Sequence, residues 1–235
     1  MLDAVLYVNE IFGPTVQGEG PMTGQPAVFL RLAGCNLACR FCDTPYSWDW
    51  QRFDREQERH AMPAEEVLDA INRKAGLVRR LVITGGEPML QQDRWSALAR
   101  TLREEGWSID VETAGTTAPA PDVAVSLYVV SPKLSLSGND AKFSLRPEAI
   151  KAFRDMGASK VAWKFVCKLP EDVEEAMIFA TVYKLPRSSI FILPEGRTHT
   201  AWLGSALNVV ATALMHGVAV SPRLHIALWG SDRGR

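Results

Sequence analysis

The chain lacks a marked excess of charge of either sign. Its 235 residues include 26 lysine and arginine residues and 27 aspartate and glutamate residues, for a formal net charge of −1 at pH 7. A nucleic-acid-binding domain usually carries a basic face, which this balance disfavours. Apolar runs of the roughly 18 residues that mark a membrane-spanning helix are missing as well. The sequence therefore predicts a protein that binds neither nucleic acid nor membranes.

Signals of an extracellular protein are lacking too. Residues 1–4 carry neither the basic start nor the apolar stretch of a secretory signal, so we expect a cytoplasmic protein. Cysteine is scarce, with four residues, and Cys35, Cys39 and Cys42 fall within eight positions. In a reducing compartment such a group indicates metal binding or catalysis rather than a disulfide framework. Cys167 stands alone in an apolar run, where we interpret it as a small buried side chain.

Internal repeats, low-complexity tracts and linkers rich in proline, glycine or serine are also absent from the sequence. With 47% hydrophobic residues, the composition is that of a globular protein, and the length suits a single domain over residues 1–235. Residues 1–26 form an N-terminal extension that contains a strand. The polar segment 49–61 is interpreted as an insertion or mobile loop, or as a charged helix. The charged tail 230–235 has the composition of a disordered end.

Short apolar runs alternate with amphipathic segments along the chain. Strands are predicted at residues 27–32, 81–84, 108–112, 127–131, 161–166, 189–193 and 224–229. Helices are predicted at residues 63–76, 95–106, 147–156, from 170 onward and at 199–215. Continuous apolar strands that alternate with helices indicate a parallel sheet buried on both faces. Because a closed eightfold barrel takes about 250 residues, we predict an incomplete TIM-like βα barrel of about six parallel strands with outer helices.

The three clustered cysteines have the spacing C-x3-C-x2-C and directly follow the predicted strand at residues 27–32. Thiolates at such spacing suit an iron–sulfur cluster or zinc. A structural zinc site takes four ligands, but no second cysteine pair exists, and His60 lies in a charged stretch. A cubane cluster held by three thiolates leaves one iron open to a cofactor, and we favour this interpretation over zinc.

The cysteine loop resembles the signature of the radical S-adenosylmethionine (SAM) superfamily. The resemblance implies a 4Fe–4S cluster whose open iron binds SAM, so that one electron cleaves SAM to a radical that abstracts hydrogen from the substrate. The turn Thr84-Gly85-Gly86-Glu87-Pro88 is similar to the glycine-rich turn of that superfamily, whose backbone approaches the methionine amino group. This turn and Ser131-Pro132-Lys133 follow predicted strands, at the sheet edge where such folds bind ligands.

Further motifs resemble one family in particular, the 7-carboxy-7-deazaguanine synthases. They are Glu10-Ile11-Phe12, Val16-Gln17-Gly18-Glu19-Gly20, Phe29 to Leu37, Phe41-Cys42-Asp43-Thr44, Val111-Glu112-Thr113, Val130 to Lys133, Lys164-Phe165-Val166, Pro194-Glu195-Gly196 and Ser221 to His225. These motifs cover nearly the whole chain in order. One departure is Ala114, where members of the family often have asparagine.

The resemblance implies a ring contraction catalysed by a carbon–nitrogen lyase. In this reaction 6-carboxy-5,6,7,8-tetrahydropterin becomes 7-carboxy-7-deazaguanine with release of ammonia, in the biosynthesis of 7-deazapurines such as preQ0 and queuosine. The resemblance further implies Mg²⁺ as a cofactor and a homodimer. The cluster and SAM carry the chemistry, so no side chain is assigned as catalytic. Because the cluster needs a low-potential electron, a flavodoxin- or ferredoxin-type donor is expected.

The resemblance also assigns residues to each ligand. The SAM-binding residues are Phe41, Asp43, Gly85, Gly86, Glu87, Ser131, Pro132, Lys133 and Glu195. The substrate-binding residues are Val16, Gln17, Gly18, Glu19, Arg31, Thr84 and His225. The cluster ligands are Cys35, Cys39 and Cys42, and Thr44 would bind Mg²⁺. The amide of Gln17 and the carboxylate of Glu19 suit the guanidine-like edge of a pterin.

Three of these assignments have structural alternatives. Arg31 is a charge inside an apolar strand, and its partner is either the substrate carboxylate or a carboxylate of the protein. His225, placed at the start of a predicted strand, contacts the substrate or is a core histidine bonded to backbone. Thr44 is by residue type a turn residue, and its metal role depends on the resemblance.

Two other functions share part of the pattern. A glycyl-radical-enzyme activase has the same cysteine spacing, but segment 17–20 has no role there and only Cys167 remains for an auxiliary cluster. A zinc- or cluster-bearing binding module is the non-enzymatic alternative. Metal analysis distinguishes the zinc module from the enzyme, because the enzyme requires iron and labile sulfide whereas the zinc module contains neither.

Overall fold

The computed structural model describes residues 2–235. The strands are β1 (Val5–Val16), β2 (Pro26–Leu32), β3 (His60–Pro63), β4 (Arg80–Gly85), β5 (Ser108–Thr113), β6 (Leu127–Val130), β7 (Val161–Cys167), β8 (Ile190–Pro194) and β9 (Ala219–Val220). The α-helices are α1 (Arg55–Glu58), α2 (Ala64–Ala75), α3 (Gln92–Glu104), α4 (Ala141–Ser144), α5 (Pro147–Asp155), α6 (Pro170–Tyr183), α7 (His199–Met215) and α8 (Leu224–Trp229). Apart from 224–229, each predicted strand and helix has its counterpart here.

The nine strands form one open sheet in the order β3-β1-β2-β4-β5-β6-β7-β8-β9. Neighbouring strands from β2 to β9 are parallel, whereas β1 runs antiparallel to β2 and β3 antiparallel to β1. Within residues 2–235 the edge strands β3 and β9 do not pair with each other, so the predicted incomplete barrel is confirmed. The parallel strands include the two-residue β9 in addition to the six that were predicted.

Alternation along the strands divides the sheet into two faces. In β2, Val28, Leu30 and Leu32 belong to the main hydrophobic core, whereas Phe29 and Arg31 lie on the opposite face. The same alternation recurs in β4 to β8, so every second residue faces the inside of the partial barrel. Inward positions near the carboxyl ends of the strands are therefore the ones available to a site.

Amphipathic helices cover the outer face of the sheet. In α3, Trp95, Leu98 and Leu102 are buried in the main core at helical spacing. Helix α2 has glutamates in its first turn and basic residues in its last turn, which is the charge distribution that the helix dipole favours. No helix in the described part of the chain is long and apolar enough to cross a membrane.

The predicted strand at residues 224–229 is wrong, because this segment is helix α8. A six-residue segment with five apolar residues fits a strand and a helix equally well, and only Ile226 is buried in it. The edge position in the sheet belongs instead to β9, which pairs with β8. His225 consequently lies in the first turn of a helix and not at the start of a strand.

Residues 49–61 and the tail 230–235 lie close together. The first segment contains the short charged helix α1 and the start of β3, which pairs with β1 at the edge of the sheet. In the tail, Arg233 forms a bidentate ion pair with Glu58 at 2.8 and 2.9 Å, and its guanidinium stacks on Tyr46. The tail therefore has defined contacts with the rest of the domain.

Candidate active site

A cavity of about 230 Å³ lies at the carboxyl ends of the parallel strands. Every predicted site residue lines it except Glu87 and Pro132. We call the part around Cys35, Cys39 and Cys42 the cysteine side. The part lined by Glu19, Glu112, Lys164, Arg223 and His225 is called the charged side.

The three thiols of the cysteine side are held by nearby N–H donors. Asn139 Nδ2 donates to Cys39 Sγ and Trp48 Nε1 donates to Cys42 Sγ, each at 3.2 Å. The backbone N–H of Leu37 lies 3.4 Å from Cys35 Sγ. Burial raises the pKa of Cys35 to about 12, so as a free thiol it is protonated at neutral pH, and a metal centre must displace that proton to bind.

The donor set on this side fits a three-thiolate cluster. The fourth cysteine, Cys167, is buried in the main core on the outward face of β7, away from the cavity. Its interpretation as a packed side chain agrees with this position. Within residues 2–235, no three His, Cys, Asp or Glu side chains converge closely enough to hold a single metal ion.

The glycine turn after β4 packs directly against the cysteine loop. The backbone N–H groups of Gly86 and Glu87 donate to Leu32 O and Gly34 O, at 3.1 and 2.8 Å. A Cβ added at Gly85 would overlap the backbone of Leu32, and one added at Gly86 would overlap Gly34 O. Both positions therefore require glycine for close backbone approach, whatever they also contribute to ligand binding.

Glu87 lies behind this turn and outside the cavity lining. Its carboxylate accepts hydrogen bonds from Thr113 Oγ1 and the backbone N–H of Ala114, each at 2.7 Å, and from the N–H of Met89 at 3.0 Å. The side chain is buried and fully occupied by these donors. Its carboxylate thus ties the glycine turn to the end of β5, and the assignment of Glu87 to SAM stays a prediction. Pro132 likewise lies outside the lining, between Ser131 and Lys133, which are part of it.

Lys133 is the cation of the cysteine side. Its Nζ donates to the carbonyl and the hydroxyl of Ser131 at 2.8 and 2.9 Å. Thr44 also lies here, with its Oγ1 3.8 Å from Cys42 Sγ. Glu195 is at the rim, 3.9 Å from Lys168 Nζ.

A buried charge network forms the charged side. Glu19 receives Lys164 Nζ on one carboxylate oxygen at 2.7 Å and Arg223 Nε on the other at 2.8 Å. Burial opposes ionisation of Glu19, but Lys164, Arg223 and His225 outweigh it and hold its pKa well below the usual range. The Glu19 carboxylate is therefore charged and fixed before any ligand arrives.

Glu112 is the carboxylate that the polar groups next to this network share as a hydrogen-bond acceptor. It accepts hydrogen bonds from Gln17 Nε2 and Thr84 Oγ1, both at 3.1 Å, and lies 3.6 Å from Lys164 Nζ. Burial lowers the pKa of Lys164, but Glu112 and Glu19 together raise it, so the ammonium stays charged. The predicted residues Gln17, Glu19 and Thr84 are thus brought together through Glu112 and Lys164, which the sequence analysis did not assign to the site.

Arg223 joins three separate parts of the chain. Besides Glu19, it donates to the carbonyl of Gly196 at 2.5 Å and to the carboxylate of Asp43 in the cysteine loop. Its side chain is only 7% exposed. Arg223 therefore connects the segment after β9 to the loop after β8 and to the cysteine loop. The carboxylate of Asp43, which the sequence analysis assigned to SAM, is thus engaged in an ion pair with Arg223.

Arg31 and His225 have protein partners as well. Arg31 Nε donates to Glu10 Oε1 at 2.7 Å, so its partner here is a carboxylate of the protein, the structural alternative to a substrate carboxylate. Arg31 also lines the cavity. His225 packs on Gly18 so closely that a Cβ at Gly18 would overlap its ring. Burial lowers the pKa of His225, so the imidazole is neutral at pH 7.

The sequence contains a signal for Lys164 and Glu112, the two strand residues that had no predicted role in the site. Arg31 is predicted as a site residue because it is a charge inside an apolar strand, and Lys164 has the same property in β7. Glu112 lies in β5, where polar and apolar residues alternate, so its sequence signal is weaker. All three occupy inward positions, with Arg31 and Glu112 near the carboxyl ends of their strands and Lys164 in the middle of β7. Arg223 carried no such signal, because it lies in a connection between β9 and α8.

Comparison with known proteins defines the class first. Residues 30–162 match the model of the Radical SAM superfamily, so the chain belongs to this superfamily. It therefore uses a 4Fe–4S cluster and SAM, which confirms the prediction made from the cysteine spacing.

Within the superfamily, the chain belongs to the family of 7-carboxy-7-deazaguanine synthases. It is 40% identical over 232 residues to the 7-carboxy-7-deazaguanine synthase of Pyrobaculum aerophilum, covering 97% of this chain and 96% of the relative. The synthase of Hyperthermus butylicus is 36% identical, with coverage of 96% and 93%. The crystal structure of QueE from Escherichia coli superposes with a TM-score of 0.71 at 26% identity, over 94% of this chain and 95% of that one. The family resemblance of the motifs is confirmed.

Proposed function

We propose that this protein converts 6-carboxy-5,6,7,8-tetrahydropterin to 7-carboxy-7-deazaguanine with release of ammonia, a step in 7-deazapurine biosynthesis. The observation that carries the proposal is one cavity with three thiols on one side and a fixed network of buried charges on the other. The nearly full-length similarity to synthases of this name supports it. Membership of that family disfavours the glycyl-radical activase and the binding module.

On the cysteine side, Cys35, Cys39 and Cys42, which all line the cavity, would hold the cluster. When bound, the cluster and SAM supply the one-electron chemistry that starts hydrogen abstraction. The glycine turn offers backbone groups to the methionine end of SAM, and Lys133 offers a positive charge to its carboxylate. Phe41, Ser131 and Glu195 complete the proposed SAM contacts.

On the charged side, this chain's own residues would bind and orient the pterin. Glu19 and Gln17 would face its guanidine-like edge, where an ionised carboxylate and an amide oxygen accept hydrogen bonds. Because Lys164 and Arg223 already fix Glu19, little rearrangement is needed when the substrate binds. Neutral His225, Thr84, Val16 and Gly18 would contact the ring, and Arg31 would pair with the substrate carboxylate by exchanging part of its contact with Glu10.

Thr44 would provide the protein ligand for Mg²⁺ in this proposal. A hydroxyl is a weak ligand alone, and Mg²⁺ keeps several waters or substrate oxygens beside one or two protein groups. The Thr44 hydroxyl would hold the metal, which would supply positive charge to the substrate carboxylate. Replacing Thr44 with valine should raise the Mg²⁺ concentration needed for half-maximal turnover, whereas serine should leave it nearly unchanged.

We further infer a homodimer and a flavodoxin- or ferredoxin-type electron donor in the cytoplasm. Self-association is supported by the outer surfaces of α6 and α7, which expose Ile178, Val182, Leu207 and Leu214 to solvent. Exposed apolar patches of this kind commonly mark protein contacts. Sedimentation at micromolar concentration tests it: Leu207→Glu should shift a dimer to a monomer.

Anaerobic reconstitution tests the proposed reaction. The holoprotein is incubated with SAM, dithionite, Mg²⁺ and 6-carboxy-5,6,7,8-tetrahydropterin, and products are followed by mass spectrometry. We expect 7-carboxy-7-deazaguanine and ammonia in equal amounts, with SAM regenerated. If SAM is cleaved but the pterin is unchanged, the substrate assignment fails and only the superfamily chemistry stands.

A further inference from the structure

Two side-chain N–H groups point at the sulfur atoms of the cluster cysteines. The indole Nε1 of Trp48 lies 3.2 Å from Cys42 Sγ, and Nδ2 of Asn139 lies 3.2 Å from Cys39 Sγ. Neither residue belongs to the cysteine motif, and Asn139 is 100 residues away from Cys39 in sequence. The sulfur of Cys35 receives only a longer contact from a backbone N–H, that of Leu37.

Asn139 is held in place by the cysteine loop, against which its own loop packs. Its Oδ1 accepts the backbone N–H of Ala38 at 2.9 Å, which fixes the orientation of the amide so that Nδ2 points to the thiol. The same loop docks on the cysteine loop through Arg40 N–H and Ser137 O at 2.9 Å. At Gly138, a Cβ would overlap the Arg40 side chain, so the two loops are in direct contact.

Trp48 is held from the other direction. It follows the turn after Thr44, and its backbone N–H donates to Pro45 O at 3.1 Å. Next to it, Ser47 O accepts the N–H of Gly34 at 2.7 Å, which anchors this turn to the start of the cysteine loop. The indole N–H is a donor only, and Cys42 Sγ is the acceptor that the structure gives it.

We propose that Trp48 and Asn139 are positioning residues that set the reduction potential of the cluster through N–H···S hydrogen bonds. Reduction adds negative charge to the cluster and its thiolates, and a donor aimed at a thiolate stabilises the more negative state. Hydrogen bonds to the sulfurs are among the factors that set iron–sulfur potentials. The two donors therefore make one-electron reduction by the external donor more favourable. The inference rests on the cluster assigned under the proposed function.

The variant Trp48→Phe tests the proposal by removing the N–H while keeping an aromatic ring. The readout is the midpoint potential of the reconstituted cluster, followed by EPR at set potentials without SAM. We expect the equilibrium constant for reduction to fall about fivefold, roughly 40 mV for a one-electron couple, with unchanged iron content. Trp202→Phe is the matched control, since its Nε1 is buried without an acceptor. Equal potentials in the two variants would overturn the proposal.

A second measurement needs no variant. Protein labelled with ¹⁵N in the tryptophan indole is reduced and its hyperfine spectrum recorded by pulsed EPR. An indole ¹⁵N coupled to the cluster is expected in the wild type. Its absence would show that Trp48 does not bond Cys42 in the holoprotein. A preparation with zinc and no labile sulfide would instead refute the proposed function itself.

Discussion

On the cysteine side of the cavity, the three predicted cluster ligands come from one stretch of eight residues. On the charged side, the ion pair of Glu19 with Lys164 joins residues 145 positions apart, and that with Arg223 joins residues 204 apart. The cluster ligands are thus specified locally, whereas the ion pairs of the charged side form only once distant parts of the chain have folded together. The two sides should therefore respond differently to substitution.

Shape dominates the cysteine side, and paired charge dominates the charged side. Backbone atoms of the glycine turn and the cysteine loop touch at Gly85 and Gly86, where no Cβ fits. The charged side instead keeps Glu19, Lys164 and Arg223 nearly buried, which is tolerable only because each has opposite charges around it. Added volume should damage the first side, and a removed charge should damage the second.

The largest effect is expected from Cys39→Ala, which removes a cluster ligand. We expect complete loss of SAM cleavage and a strong loss of iron after reconstitution, because two thiolates hold the cubane poorly. Cys167→Ala is the matched control. Since Cys167 is buried in the core, this variant should lose about 1 kcal/mol of unfolding free energy and keep its iron. Iron loss in the control would contradict the assignment of three ligands.

The charged side is broken by Arg223→Met. Glu19 then keeps only Lys164, and Asp43 loses its arginine, so we expect the unfolding free energy of the apoprotein to fall by about 3 kcal/mol. Chemical denaturation measures it. The control is Arg52→Met, which removes an ion pair with Asp49 whose arginine is 64% exposed and should cost less than about 1 kcal/mol. Equal losses would mean that the charged side is not the stabilising network described.

How much of this the sequence predicts depends on the distance over which each feature is encoded. The cysteine spacing, the glycine turn and the apolar strands are local patterns, and their positions agree with the structure. The prediction for segment 224–229 failed because its five apolar residues do not distinguish a strand from a helix. The contacts of Arg223 could not be predicted, because they appear only once β9 and the cysteine loop are adjacent.

Two charged strand residues, Lys164 and Glu112, lie between these extremes. Lys164 and Glu112 lie within the family motifs but have no predicted role, although Lys164 is a charge in a strand of apolar residues and Glu112 is a charge in the alternating strand β5. A charge in a strand is also the feature that identified Arg31, and all three side chains line the cavity on the inward face. Which carboxylate pairs with which cation remained unpredictable, since pairing depends on the curvature of the sheet.

Gly86→Ala tests the close packing of the cysteine side, because it adds one methyl group and changes no charge. The new Cβ would overlap Gly34 O, which is backbone and cannot move aside without shifting the cysteine loop, so we expect a loss of about 2 kcal/mol in unfolding free energy. SAM binding to the holoprotein should weaken in parallel, measured by calorimetry. Gly204→Ala is the control, because Gly204 lies in α7 with open space around it and alanine should stabilise the helix by about 1 kcal/mol. If Gly86→Ala binds SAM normally, close packing is not what this turn requires.

The smallest expected effect is a loss of unfolding free energy at acidic pH, and it should originate on the charged side. Burial lowers the pKa of His225 below 6.5, so the folded protein prefers the neutral imidazole, although Glu19 partly opposes this. The stability from this preference is present above the unfolded pKa of about 6.5 and is lost as the pH falls towards the lower folded value. Glu19 stays ionised throughout that window because its own pKa is held well below its usual range.

The wild-type apoprotein should therefore lose more unfolding free energy between pH 7 and pH 5.5 than His225→Gln does, measured by urea denaturation in matched buffers. His199→Gln alters an exposed histidine at the start of α7 and should keep the wild-type slope. On the cysteine side, burial moves the pKa of Cys35 upward, so acid in this range leaves its thiol unchanged. If His225→Gln keeps the full acid sensitivity, the titrating group lies elsewhere and the contrast between the two sides does not extend to protonation.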